Sequence, residues 1–386
     1  MKLLIAPDKF KGSLDAAGVA TAIAAGVRSI DPAATIDLCP MADGGEGTVA
    51  ALVAATGGRL ETRRVTGPLP EMKVNASFGI LGDKQTAVIE MAAASGLALL
   101  QGDQRDPMAT TTFGTGELLV AAAEMGMKRV ILGIGGSATV DAGLGAAQAC
   151  GLPVLLEGGE PLSATEPLCG RDMPSVLMVK HGRGSRVERM EIVVACDVTN
   201  PLFGPDGAAV VYGPQKGASP AAVRELDDNL RSLAARMNKL DIARTPGAGA
   251  AGGLGFGMLA YFGATLRLGA EIIAGAVGLR ARLTGADLCI TGEGRMDDQS
   301  VSGKTAIAVA RLCRELGVPC VALVGSMGEK IHLVYDEGIT ACFPICDGPM
   351  DLATAMRDAP RLLETAAANV MRLWRARGGE GSGRML

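Results

Sequence analysis

The sequence predicts an α/β protein in which a discontinuous, flavodoxin-like, doubly wound parallel-sheet domain (residues 1–45 plus 286–376) is interrupted by a mixed α/β domain (46–285). Three observations lead there. A length of 386 residues exceeds what one ordinary core organises. Short apolar runs alternate with helix-period segments at both ends of the chain, the pattern of a parallel sheet covered on both faces. The middle has a different texture, with strand-like runs set among glycine- and proline-rich connections.

The elements follow in order. Lys2 to Ala6 is an apolar strand that stops at Pro7. Ser13 is placed to cap a helix whose apolar face is Val19, Ile23, Val27 and Ile30. Thr35 to Leu38 reads as a second strand. In the insertion, Val88–Met91, Val130–Leu132 and Ile192–Ala195 read as strands, 157–190 as loop-rich, and Gly257 to Leu283 as one long helix. The first grammar then returns. Leu288 to Thr291 is a strand followed by a polar loop, and Ser302 caps a helix through Ala306, Val309, Cys313 and Leu316. Cys320–Val324 and Ala341–Cys346 are strands around a helix through Ile331 and Val334 that ends at Gly338. A closing helix shows Leu362, Ala366, Val370 and Leu373, and 377–386 reads as a frayed tail. The strand with Pro344 belongs at a sheet edge, because proline cannot donate to a central ladder.

Composition excludes several classes. The net charge is −4 with both signs interspersed and no basic stripe, which argues against nucleic acid. Nine cysteines without CxxC spacing read as reduced thiols, and the two histidines, His181 and His332, as surface or packing residues. The apolar N-terminal run is too short for a signal-peptide core. The longest apolar stretch, Met258–Leu283, is broken by Arg267, Glu271 and Arg280, so no membrane span is expected. A cytoplasmic enzyme is the expectation, with a homodimer left open.

In an open parallel sheet, ligands bind beyond the carboxyl ends of the strands. Those ends carry Pro7–Ser13, Pro40–Thr48 and Thr291–Gln299, which together bring carboxylates, cations and glycines to one rim. Phosphoryl transfer uses that mixture: carboxylates for Mg²⁺, cations for oxyanions, glycines for backbone approach to phosphate. In the insertion, Gly133-Ile134-Gly135-Gly136-Ser137-Ala138-Thr139 follows a strand and is expected to lead into a helix as an anion nest. Cys196-Asp197-Val198-Thr199-Asn200-Pro201 offers a base or metal ligand, or only an Asx turn before proline. Three weaker patterns stand beside these. Gly303-Lys304-Thr305 lacks the leading glycine of a Walker A loop, with Asp298 in its place, and Gly247–Gly252 lacks the preceding strand. Gly133-x-Gly135-x-x-Ala138 with Glu157 is a usable dinucleotide fingerprint and would make the protein an NAD-dependent oxidoreductase. A two-domain binding protein without chemistry is the third reading.

Several stretches together resemble the bacterial glycerate kinase family of the glycerate 2-kinase type. They are Ala6–Leu14, Met41–Thr48, Gly114–Leu118, Gly133–Thr139, Cys196–Leu202, Gly247–Gly255 and Thr291–Gly294 with Asp297, Gln299, Gly303 and Lys304. The match runs in order to about residue 375. Departures are Val140, Ala142 and Ser300, where the family pattern has Asn, Gly and Thr. The resemblance implies a restriction-endonuclease-like inserted domain and ATP-dependent, Mg²⁺-assisted phosphorylation of D-glycerate, with 2-phosphoglycerate as product. Loop chemistry and motif position together give candidate roles for in-line transfer in a cleft between domains. Asp197, then Asp8, are candidate bases with Lys9 beside them. Lys11, Ser13, Arg295 and Asn200 are candidates for holding substrate; Gly135, Gly136, Ser137, Thr139 and Lys304 for the ATP phosphates; and Asp43, Glu46 and Glu293 for the metal. Which loop holds which substrate stays open at this level.

Overall fold

A computed structural model of the chain describes residues 1–159, 166–180, 186–298, 300–302 and 305–377. Gln299, Gly303, Lys304, His181, residues 378–386 and the Ser302 side chain lie outside the described set. The chain divides into two compact units, one of residues 1–43, 54–56 and 270–386, the other of 44–53 and 57–269. Residues 270–285 thus pack with the terminal segments.

The N-terminal segment supplies strands β1 (Lys2–Ile5) and β2 (Thr35–Leu38). The middle supplies β3 (Arg59–Thr66), β4 (Lys73–Ile80), β5 (Thr86–Glu90), β6 (Arg129–Gly133), β7 (Val154–Leu156), β8 (Val176–Val179), β9 (Glu191–Ala195) and β10 (Thr265–Arg267). The C-terminal part supplies β11 (Leu288–Met296), β12 (Cys320–Met327) and β13 (Ala341–Pro344).

The first unit is a five-stranded sheet in the order β13-β12-β11-β1-β2, with every neighbouring pair parallel. Pro344 lies on the edge strand, where its missing N–H breaks no central ladder. The helix Ala16–Ile30 buries Val19, Ile23 and Val27 on the sheet core formed by Leu3, Ile5, Leu288, Ile290 and Leu323. Full burial of a side chain such as Ile23 contributes about 2 kcal/mol. The cap of that helix is Asp15, whose carboxylate accepts from the Gly18 N–H at 2.7 Å. Ser13 instead donates its hydroxyl to the Met356 carbonyl at 2.6 Å. The closing helix, Ala359–Arg377, buries Leu362 and Val370 of its expected face and packs Ala366 against the core, together with Leu363, Ala367 and Met371, while Leu373 departs from it at 66 % exposed.

A second difference sits at the third strand. The stretch expected as a polar loop after Thr291 is strand through Met296, because β11 continues to pair with β12 as far as Met296 opposite Met327. Three of the nine cysteines also meet: the sulfurs of Cys289, Cys313 and Cys320 lie within 4.8 Å of one another in the buried core, although their spacing in sequence is irregular.

The second unit holds a six-stranded mixed sheet, β10-β9-β6-β5-β4-β3, and a separate β7–β8 pair. The pairs from β10 to β5 are parallel, and β5–β4 and β4–β3 are antiparallel. The expected long helix over 257–283 is absent. A helix Ala250–Phe262 stops at Gly263, which is left-handed at φ +64, and β10 and the helices Gly269–Ala276 and Leu279–Leu283 follow. Glycine takes that conformation without a Cβ penalty, so the helix ends there despite its apolar run.

Candidate active site

In the first unit the carboxyl ends of the strands surround a pocket of about 700 Å³. Seven residues singled out from the sequence line it: Asp8, Lys9, Lys11, Ser13, Asp43, Glu293 and Arg295. Asp8 and Lys9 follow β1, Asp43 follows β2, and Glu293 and Arg295 sit on the extended end of β11. The backbone N–H of Asp8 bonds the Gly292 carbonyl at 2.8 Å, which fixes the turn after β1 to that strand. The remaining wall comes from Gly325 and Ser326 at the end of β12, Ile345 and Cys346 after β13, and Leu352, Ala355 and Met356. The strand-end rule points to the β12 and β13 ends as well, but Gly325, Ser326, Ile345 and Cys346 carry no charge that marks them in the sequence.

The pocket mixes both charges. Asp8 is buried, and desolvation, reinforced by the Asp43 carboxylate, pushes its pKa up to about 6; the Lys9 N–H, at 2.7 Å from Oδ1, and the Lys9 charge pull the other way. The Lys9 ammonium is 3.9 Å from Asp43 Oδ1. Arg295 donates to Asp297 at 3.1 Å with its guanidinium mostly exposed, and Lys11 is exposed. The carboxylate oxygens of Asp8, Asp43 and Glu293 do not all lie within 4.8 Å of one another; among the described residues the three cysteines are the group that does. The three carboxylates are hard oxygen donors, and Mg²⁺ suits such donors, because it takes one or two protein carboxylates and fills its octahedron with water and phosphate.

The other candidates lie on the second unit. Asp197 is exposed, and its Oδ1 accepts from the Gly269 N–H at 2.9 Å. Both ends of the Asn200 amide are engaged: Oδ1 accepts from Tyr212 Oη at 2.6 Å, and Nδ2 donates to the Asp206 carbonyl at 2.8 Å. Glu46 is exposed on 44–53 and does not line the pocket of the first unit. Lys304 is outside the described residues.

Gly135 and Gly136 are exposed at the end of β6, and Gly136 is left-handed at φ +73. A Cβ on Gly133 would stand 2.4 Å from the Gly44 carbonyl oxygen, so only glycine lets the two loops close. The expected direct entry into a helix is corrected. Residues 137–143 run first as extended and turn backbone, with Ala138 bonding the Ser95 carbonyl, and the helix begins only at Leu144 and has six residues. A dinucleotide fingerprint needs the helix at the loop, and Glu157 follows β7, which pairs with β8 outside the main sheet. The oxidoreductase reading loses both of its supports. The Gly247–Gly252 match is likewise a turn: Gly252 is left-handed, and its Cβ position is 1.8 Å from the Thr139 carbonyl oxygen.

Sequence reading missed Lys216. It lies in Gly213-Pro214-Gln215-Lys216-Gly217, is 2 % exposed, and donates to Ser137 Oγ and to the Thr139 carbonyl, both at 2.7 Å. The flanking glycines and proline mark a turn, but nothing in the local pattern shows that the lysine turns inward. The departures from the family pattern also find their places: Val140 is fully buried and apolar, and Ala142 stands in left-handed backbone at φ +53, where glycine is the easier residue.

Known proteins resemble this chain over nearly its full length. The family model described as the glycerate kinase family matches residues 3–375. A glycerate kinase of Halalkalibacterium halodurans is 46 % identical over 95 % of this chain and 97 % of its own length. A glycerate 2-kinase of Escherichia coli is 45 % identical over 96 % of this chain and 97 % of its own. The crystal structure of a putative glycerate kinase 2 from Salmonella typhimurium LT2 superposes with a TM-score of 0.86 at 42 % identity, over 98 % of this chain and 99 % of that one. An α/β chain whose sequence matches over nearly its whole length, and whose strand ends gather carboxylates and cations in one pocket, belongs to the glycerate kinase family.

Proposed function

We propose that the protein transfers the γ-phosphoryl group of ATP to D-glycerate and releases 2-phosphoglycerate. The observation that carries the reading is the pocket of the first unit, where three carboxylates and three cations line a space with ample room for a small hydroxy acid. The strand order of that unit supports a flavodoxin-like architecture, whose ligands sit at the carboxyl edge of the sheet. The absence among the described residues of a helix long and apolar enough to cross a membrane is consistent with a cytoplasmic setting.

Transfer of this kind depends on positioning and charge rather than on covalent chemistry. Lys11 and Arg295 hold the glycerate carboxylate, and Lys9 balances the carboxylates beside it. We assign Asp8 as the base that takes the hydroxyl proton, in preference to Asp197. Asp8 shares the pocket with the cations, and a group poised near 6 is ionised at neutral pH yet still basic enough to accept a proton. Asp43 and Glu293 would hold Mg²⁺, which when bound neutralises charge on the phosphates. The exposed Gly135–Gly136 turn and Ser137 would hold the phosphates themselves.

The test is glycerate-dependent ADP release, measured by a coupled assay. Asp8→Asn is expected to fold normally and to lower turnover by about 10²–10⁴-fold, the worth of a general base. Asp197→Asn is expected to stay within about tenfold of wild type. The reverse pattern would return the role to Asp197.

A further inference from the structure

We propose that Lys216 is the buried cation of an oxyanion site on the Gly135–Gly136–Ser137 loop, acting through Ser137, and that the site takes the phosphoryl oxygens of the nucleotide. This deepens the proposed function and rests on reading that loop as the holder of the ATP phosphates.

Three observations lead to it. Lys216 is 2 % exposed, and it spends two of its N–H bonds on Ser137 Oγ and the Thr139 carbonyl. An ammonium has three donors, and among the described residues the third has no acceptor. Because Ser137 Oγ accepts from the lysine, its own proton is left to donate, and Ser137 adjoins the two exposed glycines of the turn. The Thr139 hydroxyl is fully buried and has no partner among the described residues. A buried lysine that donates to the serine next to an exposed glycine turn suits an anion with several oxygens.

The electrostatics give the site a signature. Desolvation pushes the Lys216 pKa down to about 7, and the charge of Asp141 opposes that only in part. Asp141 is itself fully buried and accepts from the backbone of Thr112, Gly143 and Gly145 and from the Thr112 hydroxyl. Above pH 7 the free protein therefore holds Lys216 largely neutral. A bound phosphate favours the charged form, so binding must take up a proton, and affinity must fall by up to ~10-fold per pH unit.

The test is calorimetric titration of the whole protein with Mg-ATP, and separately with D-glycerate. Each is run between about pH 7.5 and 9 in two buffers of different ionisation enthalpy, a window above the lysine's shifted value of about 7. The nucleotide phosphates no longer titrate there. Wild type is expected to take up a fraction of a proton on binding Mg-ATP and none on binding glycerate. Lys216→Met is expected to bind Mg-ATP at least ~10-fold more weakly, without uptake. Lys216→Arg keeps the charge, and is expected to regain affinity with a flat pH profile. Thermal melting of each variant separates loss of the site from loss of the fold, and if neither variant folds, the wild-type proton count decides. No uptake with Mg-ATP, or uptake with glycerate instead, overturns the proposal. Binding is read without turnover, so a lack of glycerate phosphorylation would refute the kinase reading and leave this result standing on its own.

Discussion

Arg282 shows how a single side chain can join segments far apart in the chain. Its guanidinium donates to Asp37 Oδ1 at 2.9 Å and to the Leu38 carbonyl at 3.1 Å at the end of β2, and also to the Ala55 carbonyl. With the Val277 carbonyl, which accepts from Nε at 2.9 Å, four partners share five planar donors, work that Lys cannot repeat. Arg282→Lys is expected to lower stability by about 2 kcal/mol, checked by denaturant unfolding, because it leaves at least one partly buried carbonyl unsatisfied. A change under half that size would mean the bonds are not maintained in solution. Residues of this kind are hard to read from sequence, and Lys216 is the clearer case. Asp8, Lys9, Asp43 and Glu293 were legible because they follow predicted strands, and strand ends are where this class binds ligands. Lys216 owes its importance to being turned inward, which depends on the packing around 213–217. Asp197 and Asn200 were legible as polar residues after a strand, but their hydrogen bonds to Gly269, Tyr212 and Asp206 could not be foreseen.

At the scale of elements, the pairing of the first and last helices is the most demanding contact in the first unit. Gly26, on the helix Ala16–Ile30, lies so close to the closing helix that a Cβ would stand 2.1 Å from the Glu364 carbonyl oxygen. The obstacle is backbone and cannot swing aside. Gly26→Ala is therefore expected to destabilise by about 1–3 kcal/mol despite alanine's better helix propensity, with a lowered melting temperature as the readout. A stabilised variant would show that the helices are not packed this closely. The elements that sequence reading found were those with a clean period: the five parallel strands and the helices between them. It missed β3 and β4 because β3 is an edge strand carrying Arg59, Glu61, Arg63 and Arg64, and charge on an edge hides strand patterning while guarding against association. It merged four elements into one helix over 257–283 because an apolar run shows no break where a left-handed glycine makes one.

For the molecule as a whole, the division into two units, each with its own sheet and core, was legible from the change of texture along the chain. The second boundary was not, since residues 270–285 look like the insertion in composition yet pack with the terminal segments. Family membership rests on sequence similarity across nearly all of both units. The chemistry rests on the pocket and the glycine loop. Phosphorus NMR of a reaction containing Mg-ATP and D-glycerate addresses that chemistry most directly. ADP is expected together with a phosphomonoester signal split into a doublet by the single proton on C2. A triplet would place the phosphate on C3, and a spectrum of ADP with inorganic phosphate alone, or of unchanged ATP, would contradict phosphorylation of glycerate.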